Sequence, residues 1–162
     1  MIETHPLGDN NENIDKNPYN LALKSTLDEH KLPDSYFQTV KNYLEPISTE
    51  LHTLIENNKK STKLVLGVQG TQGSGKSTCS DFLKCILESR HQKNVVVLSI
   101  DDFYLTHTDR QKLAKDVHPL LATRGVPGTH DVNLAINTIE RLKDLQDDDS
   151  LAIPRFNKAI DD

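Results

Sequence analysis

A glycine-rich stretch with a single lysine constrains this chain more than any other feature. Residues 70–78 read GTQGSGKST and fit the pattern G-x-x-x-x-G-K-[ST]. An apolar run, KLVLGV (63–68), precedes it and an amphipathic stretch (76–90) follows. This order predicts a strand, a glycine loop and a helix. A merely flexible glycine loop is the alternative, but the flanks are those that a phosphate-binding loop requires.

The residue types in the loop suit a nucleotide. Glycines let backbone N–H groups turn inward around phosphate oxygens, and the positive end of the following helix points to the same place. Lys76 can reach the outer phosphates, the Ser77 hydroxyl can hold Mg²⁺, and Thr78 can support an inner phosphate. The predicted ATP or GTP site consists of Gly70, Thr71, Gln72, Gly73, Ser74, Gly75, Lys76, Ser77 and Thr78. A GTPase is disfavoured because the sequence has no N-K-x-D segment that would read the base.

Two carboxylates follow the next apolar run. NVVVLSI (94–100) is typical of a parallel strand covered on both faces, so we predict a right-handed βαβ unit. The predicted fold class is α/β, with a parallel sheet of the P-loop NTPase type, flanking helices and an N-terminal helical segment. Asp101 and Asp102 come directly after this strand, where ligands of open α/β sheets bind. Such a carboxylate can accept a proton from a substrate hydroxyl or ligate Mg²⁺; alternatively, one Asp caps the next turn.

The rest of the chain divides by composition and spacing. Residues 1–33 are rich in Asn, Asp, Glu and Pro, which predicts a flexible tail that nucleotide binding does not need. An apolar stripe from Phe37 to Leu54 predicts a helical segment at 34–60, with a kink or a helix junction at Pro46. Residues 61–162 form the predicted P-loop domain, with helices at 109–116 and 131–146 and a last strand at LAIPRF (151–156).

The composition and net charge of the chain limit the classes of partner that it is expected to bind. Of its 162 residues, 35% are hydrophobic and 27% charged, and the net charge is −5, so we expect neither a nucleic acid nor a membrane as partner. The N-terminus lacks the pattern of a signal peptide, so a cytoplasmic protein is expected. Cys79 and Cys85 lie six positions apart in one predicted helix, and we expect both to be reduced thiols.

Taken in order, the motifs resemble those of P-loop small-molecule kinases. LSIDDFYLT is similar to the corresponding stretch of uridine kinase, phosphoribulokinase and bacterial pantothenate kinase. Plant-type D-glycerate 3-kinase and its ATP-binding kinase relatives resemble the chain more closely, over about residues 64–162, through GTQGSGKST, SIDDFYLTHTDRQKLA, RGVPGTHDVNL and IPRFNKAIDD. The resemblance implies Mg²⁺-assisted phosphoryl transfer from ATP to the hydroxyl of a small molecule, with D-glycerate as the favoured acceptor.

The resemblance also implies roles for single residues. The Asp that matches Asp101 is the base in the nucleoside-kinase branch, so we expect Lys76 and Asp101 to be catalytic. Together with Ser77, Asp102 is the predicted Mg²⁺ partner.

The GTHD segment resembles part of an acceptor pocket. Asp131 matches a residue that contacts sugar hydroxyls in nucleoside kinases, and it can equally cap the helix at 131–146. Arg124 and His130 can hold an anionic acceptor or lie solvated in their loop. Arg155 and Lys158 are further candidates for lining this site.

The resemblance breaks at the C-terminal side. In these kinases the chain continues past NKAIDD with a stretch like GDR, a strand like ILEGW and a lid with basic residues. We therefore expect an incomplete kinase domain that lacks its C-terminal strands and lid, and whose sheet a partner or a missing C-terminal segment would complete. The alternative function is a truncated nucleotide-binding module without kinase activity of its own.

Overall fold

Helices make up most of the regular structure in the computed structural model, which describes residues 17–58, 63–146 and 149–162. The α-helices are α1 (Pro18–Glu29), α2 (Tyr36–Thr39), α3 (Glu45–Glu56), α4 (Lys76–His91), α5 (His107–Asp116) and α6 (Val132–Asp144). Shorter turns are a π-helical turn at Val40–Leu44 and 3₁₀ turns at Ile100–Phe103 and Pro119–Ala122. The chain divides between Val97 and Leu98 into two compact units, here unit 1 and unit 2. This division falls inside the stretch predicted as one domain, 61–162.

Unit 1 is organised around helix α4. Its apolar face packs against α1 and α3, as the spacing of Phe82, Leu83, Ile86 and Leu87 predicts. The buried core consists of Leu23, Leu27, Val40, Leu44, Leu51, Phe82, Leu83, Ile86 and Leu87. The helix starts directly after the glycine loop, so this packing also fixes where the loop ends.

Helix α1 corrects the expectation of a tail that extends to residue 33. Residues 1–16 lie outside the described residues, but residues 18–29 form a helix capped by the Asn17 side chain, which accepts from the Tyr19 N–H at 3.0 Å. Leu23 and Leu27 of this helix are fully buried in the core. These two leucines, four positions apart, offset the ordering entropy of a segment whose overall composition is polar.

The predicted helix junction at Pro46 is present. Pro46 lies in the first turn of α3, and its missing N–H interrupts the backbone hydrogen bonds that continue from the preceding helical turn. The residues immediately before it, Val40–Leu44, form the π-helical turn that connects α2 to α3. Val40, Leu44 and Leu51 of the stripe are buried, whereas Ile47 and Leu54 are exposed.

The predicted parallel sheet is wrong. Among the described residues, 64–69, 94–99 and 151–156 have no strand structure, and the one β contact is an isolated antiparallel bridge between Tyr104 and His130. Leu64, Val65, Leu66 and Val96 are exposed instead of covered on both faces. A strand is stabilised by hydrogen bonds to a neighbouring strand. A run of β-branched residues has a high β propensity but does not determine whether such a neighbour is present.

Unit 2 contains α5 and α6 and the loops between them. Helix α5 packs against the 3₁₀ turn Pro119–Ala122, and α6 packs against the 3₁₀ turn Ile100–Phe103. The predictions 76–90, 109–116 and 131–146 agree with α4, α5 and α6 to within two residues at each end. In residues 17–58, 63–146 and 149–162, no helix combines the length and the apolar content that crossing a bilayer requires.

Candidate nucleotide and acceptor sites

The glycine loop of unit 1 is shaped by its backbone. Gly73 and Gly75 have φ values of +76° and +80°, in the left-handed region that glycine enters without a steric cost. Helix α4 begins at the next residue, Lys76, and its N-cap Gly75 makes no side-chain capping bond. The first N–H groups of the helix therefore keep their donors for another acceptor, and the positive end of the helix dipole faces the loop.

Two hydrogen bonds to the Thr71 carbonyl close the glycine loop. Lys76 Nζ donates to the Thr71 carbonyl at 2.8 Å, and the Ser74 N–H donates to the same carbonyl at 3.2 Å. A Cβ on Gly70 would lie 2.6 Å from Ser74 Oγ, so a side chain there would require the Ser74 hydroxyl to rotate away. The lysine thus bends back over the loop, where its charge is available to an anion that the N–H groups hold.

The remaining predicted loop residues surround this turn. Gln72 is exposed within the loop, and Ser77 and Thr78 lie in the first turn of α4. Thr78 Oγ1 lies 3.3 Å from Nδ1 of His30, at the end of α1. The donor groups and the positive charge fit the phosphates of a nucleotide, and the roles of the individual residues stay predictions.

In unit 2, Asp101 has a lysine partner. Lys158 Nζ donates to Asp101 Oδ2 at 2.8 Å. This ammonium holds the pKa of the Asp101 carboxyl below its usual range, a hydrogen bond from the Tyr104 hydroxyl adds to the effect, and partial burial opposes it. The Tyr104 phenol responds in the opposite sense, since burial and the Asp101 charge raise its pKa. Asp101 is thus ionised at neutral pH and able to accept a proton.

Asp102 serves the turn that carries Asp101. Its Oδ2 accepts from the Ser99 N–H at 3.1 Å and from Arg155 NH1 at 2.6 Å, while Oδ1 accepts from the Phe156 N–H at 3.4 Å. Ser99 reciprocates by accepting from the Asp101 N–H at 3.2 Å, which completes a capping box. These bonds match the capping alternative from the sequence, and the Mg²⁺ role of Asp102 stays a prediction.

The GTHD loop lies beside these carboxylates. The Leu105 N–H donates to the Thr129 carbonyl at 2.9 Å, which ties the loop to the segment after Asp102. The His130 ring stacks on Tyr104 with centroids 4.2 Å apart. Asp131 caps α6, since its Oδ1 accepts from the Leu134 N–H at 2.8 Å. The structure therefore brings the predicted residues His130 and Asp131 to the same neighbourhood as Asp101.

Two arginines share one aspartate next to this loop. Arg110, whose side chain is fully buried, donates to Asp161 Oδ2 at 2.6 Å, and Arg124 Nε lies 3.1 Å from Asp161 Oδ1. Both guanidinium groups also lie over the Phe156 ring, at 5.5 and 5.3 Å. Arg124 NH1 and His130 Nε2 are buried without a hydrogen-bond partner among the described residues. Such groups cost free energy unless a ligand or water pairs them.

Family comparisons place the glycine loop in a known class. The profile of the KAP family P-loop domain matches residues 44–123, a stretch that includes the whole loop. The chain is 38% identical, over 120 residues, to the uncharacterized kinase mug58 of Schizosaccharomyces pombe. It is 39% identical over 103 residues to the probable ATP-dependent kinase TDA10 of Saccharomyces cerevisiae, and 35% over 99 residues to the chloroplastic D-glycerate 3-kinase of Arabidopsis thaliana.

The chain is related to the P-loop kinases. These three matches cover 72%, 59% and 59% of the chain, and 43%, 36% and 22% of the respective relatives. The chain therefore spans less than half the length of each of these three relatives. No solved structure matches it.

Three residues that shape the candidate acceptor site could not be found from sequence motifs. Arg110 belongs to a short polar helix, where an arginine is expected to be solvated. Tyr104 stands in the quoted stretch SIDDFYLT but has no motif role of its own. Asp161, with a φ of +62°, is fixed by its two arginines and not by a local pattern. Their association depends on the fold of unit 2.

Proposed function

We propose that the protein transfers the γ-phosphoryl group of ATP to a hydroxyl of a small hydroxy acid, with D-glycerate as the favoured acceptor. One observation carries the proposal. The glycine loop holds two left-handed glycines and passes directly into α4, with Lys76 at the first helical position. The names of the related proteins, all kinases, support the same reaction class.

Unit 1 holds ATP in this proposal. The backbone N–H groups of the loop and the start of α4 bind phosphate oxygens, and Lys76 exchanges the Thr71 carbonyl for the outer phosphates. Bound Mg²⁺ would neutralise the charge that develops on the phosphates. Ser77 would supply one oxygen ligand for it and the nucleotide would supply others, as is usual for Mg²⁺ at phosphates.

Unit 2 holds the acceptor. Arg124 NH1 and His130 Nε2, which are buried and without a partner among the described residues, suit an anionic group such as a carboxylate. The nearby Asp101 suits a hydroxyl that must lose its proton. An acceptor with both groups is a hydroxy acid, and the name of the Arabidopsis relative favours glycerate among such acids.

The reaction then follows from the charges on these groups. Asp101, kept ionised by Lys158, accepts the proton of the acceptor hydroxyl. The oxygen of that hydroxyl meanwhile forms a bond to the γ-phosphorus. The bond from the γ-phosphorus to the bridging oxygen breaks, and ADP leaves with the bonding electrons. Because the Asp101 pKa is lowered, the carboxylate orients the hydroxyl first and accepts its proton late in the step.

The test combines binding and turnover on the full chain. Calorimetry with ATP should show binding by the wild type and weaker binding by Lys76→Ala, because the loss of a charge-assisted contact costs about tenfold or more in affinity. Lys84→Ala is the matched control, since Lys84 lies on the same helix and pairs with Glu88 at 2.7 Å.

Turnover decides between the two functions. ADP release is measured with D-glycerate, other hydroxy acids, nucleosides and pantothenate. Phosphorylation of glycerate that depends on Lys76 supports the proposal. ATP binding without phosphorylation of any acceptor supports the alternative, a nucleotide-binding module. Equal ATP binding by wild type and Lys76→Ala would remove the basis of both.

A further inference from the structure

The two arginines that share the Asp161 carboxylate in unit 2 differ in their exposure. Arg110 is fully buried, and it donates to Asp161 Oδ2 at 2.6 Å and to the Asp161 carbonyl at 3.0 Å. Arg124 Nε lies 3.1 Å from Asp161 Oδ1, and 32% of the Arg124 side chain is exposed. Arg110 therefore anchors Asp161 inside the fold, whereas Arg124 is the arginine that a ligand can approach.

Arg124 is held on one face and on one edge. Its guanidinium lies over the Phe156 ring, 5.3 Å from the ring centroid, and its Nε edge meets Asp161. Its NH1 has no hydrogen-bond partner among the described residues. A guanidinium is a rigid planar fork, so holding the Nε edge also fixes the direction of the other donors, which suit a carboxylate.

Asp161 also keeps the two arginines together. Both guanidinium groups lie over the same Phe156 ring, at 5.5 and 5.3 Å, where two positive charges repel each other unless an anion compensates them. The two oxygens of the Asp161 carboxylate each meet one of these groups. Removing the Asp161 charge should therefore release Arg124, the more exposed arginine, from its place.

The same aromatic cluster extends to Asp101. Tyr104 meets the Phe156 ring edge-on with centroids 5.3 Å apart, and its hydroxyl forms a hydrogen bond with the Asp101 carboxylate. Two contacting rings thus carry the proposed base on one side and the Arg124 guanidinium on the other. A hydroxy acid has a hydroxyl for the first group and a carboxylate for the second.

We propose that Asp161 is a positioning residue of the acceptor site, which orients Arg124 so that its guanidinium pairs with the carboxylate of the acceptor. The inference rests on the proposed function, because Arg124 has a carboxylate to bind only if the acceptor is a hydroxy acid. In the opposite role, Asp161 would occupy Arg124 and compete with the acceptor. The two roles predict opposite changes in acceptor affinity when the Asp161 charge is removed.

Asp161→Asn separates these roles in the full chain. Asparagine keeps the size of the side chain and adopts the left-handed φ of +62° readily, but its amide cannot accept from both arginines. We expect the affinity for D-glycerate, titrated by NMR, to fall about fivefold to tenfold, the worth of one charge-assisted contact. Tighter binding would show competition and overturn the inference.

Asp162→Asn is the matched control. It removes the same charge one position away, and its amide oxygen can still accept from the His107 N–H, as the Asp162 carboxylate does at 2.9 Å. Its affinity for D-glycerate should stay within about twofold of the wild type. Equal losses in Asp161→Asn and Asp162→Asn would mean that only the net charge matters, and would overturn the inference.

A double-mutant cycle tests whether Asp161 acts through Arg124. In an Arg124→Gln background no guanidinium is left to orient, so adding Asp161→Asn should leave the affinity for D-glycerate where Arg124→Gln alone puts it. If Asp161→Asn weakens binding by the same factor in both backgrounds, its effect comes from the fold, and the inference is overturned.

Arg124→Lys keeps the inference testable if thermal unfolding shows that Asp161→Asn does not fold. Lysine retains the positive charge but lacks the planar fork, so an ion pair with Asp161 no longer directs further donors towards the acceptor. The affinity for D-glycerate should fall about fivefold. Wild-type affinity in Arg124→Lys would contradict recognition by an oriented guanidinium.

The wild-type measurement separates this inference from the proposed function. Wild-type protein that binds ATP but neither D-glycerate nor another hydroxy acid would refute the proposed acceptor and the role of Asp161 with it. Wild-type protein that binds D-glycerate, together with an additive cycle, would leave the proposed function intact and refute only the role of Asp161.

Discussion

The two units build their candidate sites from different material. In unit 1, the glycine loop is a backbone structure, with left-handed Gly73 and Gly75 and the uncapped start of α4. In unit 2, the acceptor site consists of charged side chains. Asp101 pairs with Lys158, 57 positions away, and Arg110 pairs with Asp161, 51 positions away.

This difference decides how each site responds to change. A backbone site depends on the conformations of a few consecutive residues, and most side-chain exchanges outside the glycines and the lysine leave it in place. A side-chain site depends on pairs of opposite charge, and removing one partner leaves the charge of the other uncompensated. The predictions below test this contrast, beginning with the largest expected effect.

Asp101→Asn should have the largest effect on turnover. The substitution keeps the shape of the side chain but removes the proton acceptor, so turnover should fall by about 10²–10⁴-fold. ATP affinity should change much less, because the nucleotide loop is a backbone structure in the other unit. Steady-state kinetics with D-glycerate and ATP titrations by calorimetry measure the two quantities.

Asp102→Asn is the matched control for that prediction. Asp102 holds the turn through Ser99 and Arg155, so its replacement should lower stability and reduce turnover less than Asp101→Asn does. If Asp102→Asn is the more damaging change to turnover at an unchanged fold, the roles of the two carboxylates are reversed.

The local structure of the glycine loop follows from the sequence, apart from the missing strand before it, whereas the side-chain pairs of unit 2 follow only in part. Nine consecutive residues, 70–78, contain the glycines, the lysine and the helix start, all of which the structure has in the expected order. Asp101 and His130 were also candidates, and the Tyr104–His130 stack brings their segments together. The pairing of Arg110 with Asp161 was missed, because an ion pair between distant residues leaves no periodic or local pattern in a sequence.

Arg110→Met should show how much unit 2 depends on such a pair. The guanidinium is fully buried and donates to Asp161 and to the Leu105 carbonyl, at 3.3 Å for the latter. Methionine fills much of the volume but leaves these acceptors without donors, so the free energy of unfolding should fall by about 1–3 kcal/mol. Denaturant unfolding measures it.

Arg141→Met provides the comparison for that change. Arg141 is exposed in the last turn of α6, so its replacement should stay within about 0.5 kcal/mol of the wild type. Equal stability of the two variants would mean that the buried arginine is neutral for folding, and that unit 2 does not rest on this pair.

Gly75→Ala tests the backbone side of the comparison. A Cβ at Gly75 meets nothing within 4 Å, but its φ of +80° is strained for alanine by about 1–2 kcal/mol. The loop should relax, turn its N–H groups away and lose about tenfold in ATP affinity. Gly67→Ala has equally open space without a left-handed φ, and should bind ATP as the wild type does. Equal affinities of the two variants would contradict a loop fixed by glycine conformation.

The failed prediction of a sheet has the same origin as the missed arginine. The runs 64–68 and 94–97 have the composition of buried strands, yet Val65 and Val96 are exposed and neither run has a ladder among the described residues. Strand formation depends on a partner elsewhere in the chain, whereas α3, α4 and α6 are predicted from their own spacing. Helix α1 is missed like the sheet, because its polar composition shows no stripe and its order depends on burying Leu23 and Leu27 in a core formed by other helices.

The smallest predicted effect concerns side-chain charges in unit 1. The His91 ring stacks on that of His52 with centroids 4.4 Å apart. Burial, followed by the charges of His52, Arg90 and Lys93, lowers the pKa of His91 below its ordinary value of 6.5. The unfolded chain thus binds this proton more readily than the folded chain, so stability is fully present above pH 6.5 and is lost as the pH falls below 6.5 and through the lower pKa of His91 in the folded chain.

Unfolding midpoints between about pH 5 and pH 7 check this sign in wild type and His91→Gln. The wild type should lose more stability than the variant as the pH falls. The carboxyls of Asp101 and Glu56 also have lowered pKa values. Their ordinary pKa values are 3.8 and 4.5, so the stability linked to these two carboxyls is lost only below this pH range. Parallel curves would show that the ring stack carries no linked proton.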